Sequence, residues 1–389
     1  MEAHQAICGA IDEFRETAVA VSRSIHDHPE PKFEEHFAAE QLSKATSGLG
    51  LRVENGIAGL KTAFRAEFGR SEGPTVAIFA EYDALPNGHS CGHNLIAGAA
   101  LSAVAGLNAI AAQLPGRVVF MGTPAEEGGG GKILLLNRGA LKGVDAAMMA
   151  HPMDGEWSTM PALATRHLRL TFNGHAAHAS LAPWEGSSAL AAVLQTFHAV
   201  DMARLHFRDG SRIHGIITDG GQAMNIIPER AECMFLARGK TSKYVEEMAA
   251  RVIRCAEAAA MATGTKVEVK AEGGYKNMIN NYSMARRYSA HSESLGVRTP
   301  EAPSDLPTGS TDMGDISHAM PAIHPTFAIA HRGEGSCHED RFVAHADSRQ
   351  GYDAMIRVAK ALAMTAYDLL ADPEFLKAAK AEYAQRQES

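Results

Sequence analysis

No long basic run, no paired-cysteine framework and no apolar stretch of membrane-spanning character occurs in this chain, and each absence removes a class of function. Lys and Arg number 37 against 45 Asp and Glu, a net charge of −8, so the electrostatic footprint of a nucleic-acid binder is missing. Small neutral or anionic metabolites stay open as substrates. The five cysteines, Cys8, Cys91, Cys233, Cys255 and Cys337, are scattered and odd in number, which argues for a reducing compartment over a disulfide scaffold. The start, Met1 to Phe14, lacks a signal-peptide pattern. The nearest approach to a membrane span, Leu95 to Gln113, is Ala- and Gly-rich and reads as a core helix. A cytoplasmic location is expected, and Asn281-Tyr282-Ser283 then carries no glycosylation meaning.

Several catalytic signatures are also lacking. No Gly-x-Ser-x-Gly elbow lies near the strands, which disfavours a serine hydrolase. Gly128 to Lys132 looks phosphate-binding, but Ile133 replaces the needed Ser or Thr and Glu126 stands at the first Gly position; the run reads as a flexible turn. His338-Glu339 lacks the second His of a zincin helix, because Phe342 occupies that position.

What is present is a gathering of metal-ligand residue types at strand ends. An apolar run leads into Glu81-Tyr82-Asp83-Ala84-Leu85-Pro86 and then Cys91-Gly92-His93-Asn94. Val118 to Met121 runs into Glu126-Glu127, and Ala146 to Met149 runs into His151. Open α/β sheets hold their ligands at such ends. Singly, Cys91 reads as a small buried hydrophobe, His151 as a satisfied polar residue and the Glu pair as a solvated loop. Together, at three consecutive strand ends, soft, borderline and hard donors suit a transition metal such as zinc or manganese.

A chain of 389 residues, 46% hydrophobic and 21% charged, can bury a large core in two domains or one elaborated one. A helical region from Glu2 to about Leu49 precedes alternating strands and helices up to His151, the pattern of an α/β fold with a mainly parallel sheet. Near Arg166 the texture changes. A strand at His167–Phe172, a helix at Ser187–His206, strands at Arg212–Thr218 and Arg230–Ala237, a helix at Ser242–Met261 and a strand at Lys266–Ala271 make a ferredoxin-like βαββαβ set. A helix at Tyr282–Leu295, a strand at Thr326–Ile329 and a helix at Gln350–Leu370 follow. The expected division is a catalytic domain of 1–165 and 280–389 interrupted by an inserted domain of 166–279.

Asp83-Ala84-Leu85-Pro86, Cys91-Gly92-His93-Asn94, Glu126-Glu127, Gly174-His175-Ala176-Ala177-His178-Ala179-Ser180, Gly221 to Pro228 and Gly309-Ser310-Thr311-Asp312-Met313-Gly314 together resemble the M20 metallopeptidase and amidohydrolase family, in the branch of aminoacylase-like and aminobenzoyl-glutamate-hydrolase-like proteins. The resemblance implies metal ligation by Cys91, His93, Glu127 and His151, with His338 as the last ligand in preference to His324. It implies one or two divalent ions, zinc or manganese first and nickel third. Asp83 falls on the family's orienting acid. Asn94 stands where much of the branch has Asp, which leaves open what supports His93. The resemblance also implies that the inserted domain forms a lid and a homodimer interface, with His178 supplied across that interface to the oxyanion.

These residues suit amide hydrolysis. A bound divalent cation makes a water acidic enough to act as nucleophile at neutral pH. Glu126 is placed to be the general base and Asn225 to touch the substrate; Arg238 is one of three candidate carboxylate partners, with Arg166 and Arg332. The expected substrate is a small N-acyl amino acid, dipeptide or aminobenzoyl-glutamate-like amide. Hydrolytic deamination of an aromatic amine, or ligand binding by a catalytically silent relative, are the alternatives; a silent binder would have no need of Glu126 beside a full ligand set.

Overall fold

Helix α1 (Glu2–Asp27) buries Ile7, Ile11, Ala18, Ser22 and Ile25, a three-to-four-residue spacing that gives one apolar stripe and leaves the other face charged. Helix α2 (His36–Gly48) follows, then β1 (Val53–Asn55), β2 (Phe64–Gly69) and β3 (Thr75–Ala80). All six residues of β3 are buried, as expected of a central strand covered on both faces. Helix α3 (His93–Asn108) is buried through fifteen of its residues, His93 to Leu107. After it come β4 (Arg117–Gly122), α4 (Gly131–Asn137), β5 (Ala146–Met148) and β6 (His151–Met153). The computed structural model describes residues 2–304, 306 and 308–387.

The chain then builds a different unit: β7 (Ala164–Asn173), α5 (Ala189–Ala203), β8 (Arg212–Asp219), β9 (Arg230–Gly239), α6 (Ser242–Thr263) and β10 (Lys266–Ala271). The remaining elements are α7 (Tyr282–Ser294), α8 (Met313–Ser317), β11 (Ala322–Ile323), β12 (Thr326–Ala328), α9 (Asp340–Ala346), α10 (Arg349–Ala371) and α11 (Pro373–Gln387).

One compact unit comprises Met1–Pro161, Met278–Pro307 and Asp312–Ser389, the other Ala162–Asn277 and Thr308–Thr311. The sequence placed the junctions at 165/166 and 279/280. The earlier start follows from β7 beginning at Ala164, and Thr308–Thr311 goes with the second unit, where Leu163 N–H donates to the Gly309 carbonyl (2.9 Å).

The first unit's sheet runs β1-β2-β4-β3-β5-β11. Strands β4, β3, β5 and β11 are parallel, whereas β1 and β2 pair antiparallel along one edge. Its core joins Val76 and Ile78 of β3, Val118 and Phe120 of β4, Leu101 and Val104 of α3, Ile7 and Ile11 of α1, and Met355 and Leu362 of α10. The second unit's sheet, β10-β7-β9-β8, is antiparallel throughout, with α5 and α6 closing a separate core around Leu168, Leu170, Phe235, Val193 and Val252. The fold class is therefore α/β with a mainly parallel catalytic sheet and a ferredoxin-like insertion.

Candidate metal centre

Strand β3 delivers two acids to the same side of its end, because Glu81 and Asp83 are two residues apart in extended chain. Both are buried, while Tyr82 between them turns away and donates to the Thr62 carbonyl (2.5 Å). Asp83 then acts in two directions. Its backbone carbonyl and Oδ1 lie 2.8 and 3.1 Å from His93 Nδ1, which turns Nε2 inward, and its Oδ2 accepts the Glu127 N–H (2.9 Å). Support for His93 thus comes from Asp83. Asn94 plays no part in it: its amide donates to Ser22 Oγ and the Ala346 carbonyl.

Cys91 and His93 flank Gly92, which has φ +69° and caps α3. A Cβ there would stand 2.8 Å from Pro152 Cγ, so only glycine lets the His151-Pro152 segment come this close. His151 opens β6, a two-stranded ladder with β12; it is not the tip of β5. Its Nδ1 is 2.7 Å from the Pro152 carbonyl.

The Glu126-Glu127 turn is held from outside the sheet. Ala125 has φ +60°, a left-handed conformation that costs energy for a residue with a Cβ. Its N–H donates to Glu35 Oε1 (2.8 Å), which also accepts from Phe33 N–H, while Thr62 Oγ1 donates to Oε2. Burial pushes the Glu35 carboxyl up to about 7 against these hydrogen bonds. The glycine run is a turn as far as Gly129, as expected, and its last residue enters a helix. Gly131 begins α4, and a Cβ there would lie 1.8 Å from the Pro124 carbonyl oxygen. Lys132 is wholly buried, its Nζ 2.5 Å from Glu81 Oε2 and 2.8 Å from Asp312 Oδ1.

Ligand atoms of Cys91, His93 and His151 lie within 4.8 Å of one another, as do those of Cys91, Glu127 and His338, and of His93, Glu126 and Glu127. His93 Nε2 and Glu127 Oε1 are buried without a hydrogen-bond partner, a costly state for polar atoms unless something else satisfies them. Burial lowers His151 to about 4, so its imidazole is neutral and free to ligate at neutral pH. Burial opposes a charged His93, but Glu81, Asp83 and Glu127 outweigh it and raise it well above the ordinary value. Glu127 is pushed up by burial yet held at about 2 by His338, His93 and Cys91. Burial, then Glu81 and Asp312, raises Glu126 well above the usual carboxylate range. Glu81, Asp83, Glu126, Glu127 and Asp312 are crowded together with Lys132 as their buried ammonium. That excess of negative charge, with a thiol and two imidazoles, fits a divalent transition metal.

His338 has φ +75° and a side chain 61% exposed, with Nε2 3.5 Å from Glu127 Oε1. Its N–H donates to the Ser90 carbonyl (2.9 Å), which fastens it beside Cys91. His324 is fully buried, with Nδ1 3.1 Å from the Met149 carbonyl and Nε2 without a hydrogen bond; its ring packs edge-on to His151 at 5.7 Å.

In the second unit, His178 and Asn225 are brought side by side. His178 bridges to Ile226, and Ala179 N–H donates to the Asn225 carbonyl (3.0 Å). His178 Nδ1 accepts the N–H groups of Ser180 and Leu181, which puts the ring proton on Nε2 and makes that atom a donor. Arg238, on β9, is half-buried and has no carboxylate within ion-pair distance among the described residues; burial lowers its guanidinium. Arg166 is paired with Glu246 (3.4 Å), and Arg332 is exposed.

Sequence reasoning gave no role to Glu35, Glu81, Lys132 or Asp312. The available signals were the two-residue spacing of Glu81 and Asp83 and the lone Lys at the end of the glycine run.

An Xaa-Arg dipeptidase from Mus musculus is 37% identical over 391 residues, covering 96% of this chain and 90% of its own. A p-aminobenzoyl-glutamate hydrolase polypeptide from Escherichia coli (strain K12) is 28% identical, covering 99% and 95%. Among solved structures, the Bacillus subtilis YXEP protein, a dinuclear metal-binding peptidase of the M20 family, superposes with a TM-score of 0.73 at 21% identity, covering 92% and 99%. Matched from residue 77 to residue 361 by peptidase family M20/M25/M40, this chain belongs to that family and is a metal-dependent hydrolase of amide bonds in small substrates.

Proposed function

We propose that the chain is a dipeptidase that releases a basic C-terminal residue, with the Cys91, His93, Glu127, His151 and His338 side chains holding one or two divalent ions. The observation that carries this reading is the convergence of Cys91, His93 and His151 beside Glu126-Glu127; the end-to-end likeness to an Xaa-Arg dipeptidase supplies the substrate class. Zinc or manganese, with nickel third, suits a set that mixes thiolate, imidazole and carboxylate. When bound, the ion supplies an acidified water and polarises the scissile carbonyl.

Glu126 receives the water's proton at a carboxylate oxygen and returns it to the departing amine, a task its raised affinity for protons favours. Asp83 keeps His93 and Glu127 in register. His178 Nε2–H donates to the developing oxyanion, and Asn225, held beside it, contacts the substrate. Arg238, a half-buried guanidinium with no ion pair among the described residues, pairs with the dipeptide's terminal carboxylate.

A homodimer is proposed through the second unit, with His178 crossing between protomers. Support comes from β8, an edge strand carrying exposed Ile216 and Ile217, and from exposed Leu194 and Met202 on α5 with Leu205 just beyond. Among the described residues no helix is long and apolar enough to cross a membrane, and a cytoplasmic setting is proposed from the unpaired cysteines.

The test is a panel of Xaa-Arg, Xaa-Lys and Xaa-Glu dipeptides, N-acyl amino acids and aminobenzoyl-glutamate offered to zinc- and manganese-loaded protein, with the released amine quantified. Preference for a basic C-terminal residue is expected. Faster cleavage of the acidic or acylated substrates would overturn the substrate assignment.

A further inference from the structure

Two acids approach His93 from opposite edges of its ring, and only one of them has an evident task. Asp83 accepts at Nδ1, whereas Glu81 Oε1 stands 3.3 Å from Nε2. Neither Glu81 Oε1 nor His93 Nε2 makes a hydrogen bond, and both are buried. The contact is an ion pair only while His93 is protonated; in the neutral ring that a metal requires, with its proton on Nδ1 toward Asp83, two lone pairs face each other and call for a cation between them. Two ligands on one ion, each about 2.1 Å from it, stand about 3.4 Å apart in a tetrahedral shell and about 3.0 Å apart in an octahedral one. The observed separation falls in that interval.

The other half of the carboxylate is already committed. Lys132 Nζ takes Glu81 Oε2 at 2.5 Å and is fixed in turn by Asp312, which accepts from Nζ through Oδ1 (2.8 Å) and from the Lys132 backbone N–H through Oδ2 (3.0 Å). Glu81, Lys132 and Asp312 side chains are all fully buried. The carboxylate therefore has no freedom to rotate away, and Oε1 is the oxygen left for the centre.

We propose that Glu81 is itself a metal ligand, its Oε1 sharing one ion with His93 Nε2, and that Lys132 is the positioning residue that turns this carboxylate toward it. The inference rests on the metal-hydrolase reading but not on its substrate. A carboxylate on a divalent ion offsets part of its charge, which suits a site closed off from water. It also accounts for a lysine placed at the head of α4, where the phosphate-binding reading of the glycine run fails.

The direct test is a crystal structure of the zinc-loaded full chain with anomalous data at the zinc edge. An ion about 2.0–2.2 Å from Glu81 Oε1 is expected; an ion on His93 but more than about 3 Å from Oε1 overturns the proposal. In solution, cobalt(II) titrations of the parent, Glu81→Gln and Lys132→Met, with melts of the metal-free forms as the folding control, read the same question. Glu81→Gln is expected to weaken binding by more than the about 10- to 100-fold that loss of an orienting residue costs and to shift the visible bands, whereas Lys132→Met weakens binding and keeps them. Unchanged affinity and bands in folded Glu81→Gln overturn it, and if that variant does not fold the crystal decides. Neither readout needs turnover. Zinc bound at Glu81 in a protein that cleaves no dipeptide sinks the dipeptidase reading alone, and dipeptide cleavage with the ion away from Glu81 sinks this one alone; failure to take up any ion sinks both.

Discussion

Glu126 and Glu127 are neighbours whose proton affinities are shifted in opposite directions, which suits the different tasks proposed for them. Burial and the carboxylates of Glu81 and Asp312 raise Glu126, while His338, His93 and Cys91 overcome burial to hold Glu127 at about 2. Glu126→Gln should therefore cost about 10²- to 10⁴-fold in kcat with metal content by atomic emission unchanged, and an equal loss of metal would show that it is a ligand instead. Asp83→Asn leaves one side-chain acceptor oxygen for His93 and Glu127, while the backbone carbonyl of residue 83 still holds His93, so metal affinity should fall by about 10-fold, the low end for an orienting residue, read by competition with a chromogenic chelator. The residue types of the candidate centre were legible because Cys91, Glu126 and His151 come soon after apolar runs that form strands of the sheet. Glu81, Lys132 and Asp312 were not, because a buried charge is recognised by its partner, and these partners lie 51 and 180 residues apart in sequence.

Among the elements, the long periodic helices and the βαββαβ strands were readable, and Lys266–Ala271 is matched to the residue. Of the short ones, the strands at Ala146 and Thr326 were read, but others were not. Helix α4 starts on the last of four glycines because its start depends on a close approach to the Pro124 carbonyl, which no local propensity encodes. The antiparallel β1 and β2 edge was likewise invisible to a pattern that reports alternation of strand and helix. One element-scale device is a latch at Asp368 on α10, which is bonded to His4 of α1 (2.8 Å), His291 of α7 (2.8 Å) and Arg287 of α7 (2.7 Å). Burial opposes its charge, but His291, Arg287 and His4 bring it down to about 2 from 3.8. A carboxyl depressed on folding stabilises the native state fully above the unfolded value and loses that contribution as pH falls through the folded one. The contribution, about 2 kcal/mol, is thus complete above about pH 4 and fades toward pH 2. Asp368→Asn should lower stability to urea by that amount at pH 7 and by much less at pH 2.5; an equal deficit at both pH values would remove the latch.

At the scale of the molecule, the two-unit plan was legible from the change of texture near Arg166, since the second unit carries its own periodic apolar faces and its own core. The apolar surface offered to the proposed second copy was not, because residues such as Ile216 and Leu194 are recognisable as exposed only once the fold is known. The proposed dimer makes a demand that no monomer can meet. If His178 serves the partner's centre, a protomer carrying Glu126→Ala still offers a sound His178, and one carrying His178→Ala still offers a sound Glu126. Each variant alone should be nearly inactive. Mixed, unfolded together and refolded in equal amounts, they should form heterodimers in which one of two centres is intact, restoring about a quarter of the parent activity by random pairing. If His178 acts within its own chain, every centre in the mixture lacks one of the two groups, activity stays at the level of the separate variants, and the crossing of His178 is refuted even where light scattering reports a dimer.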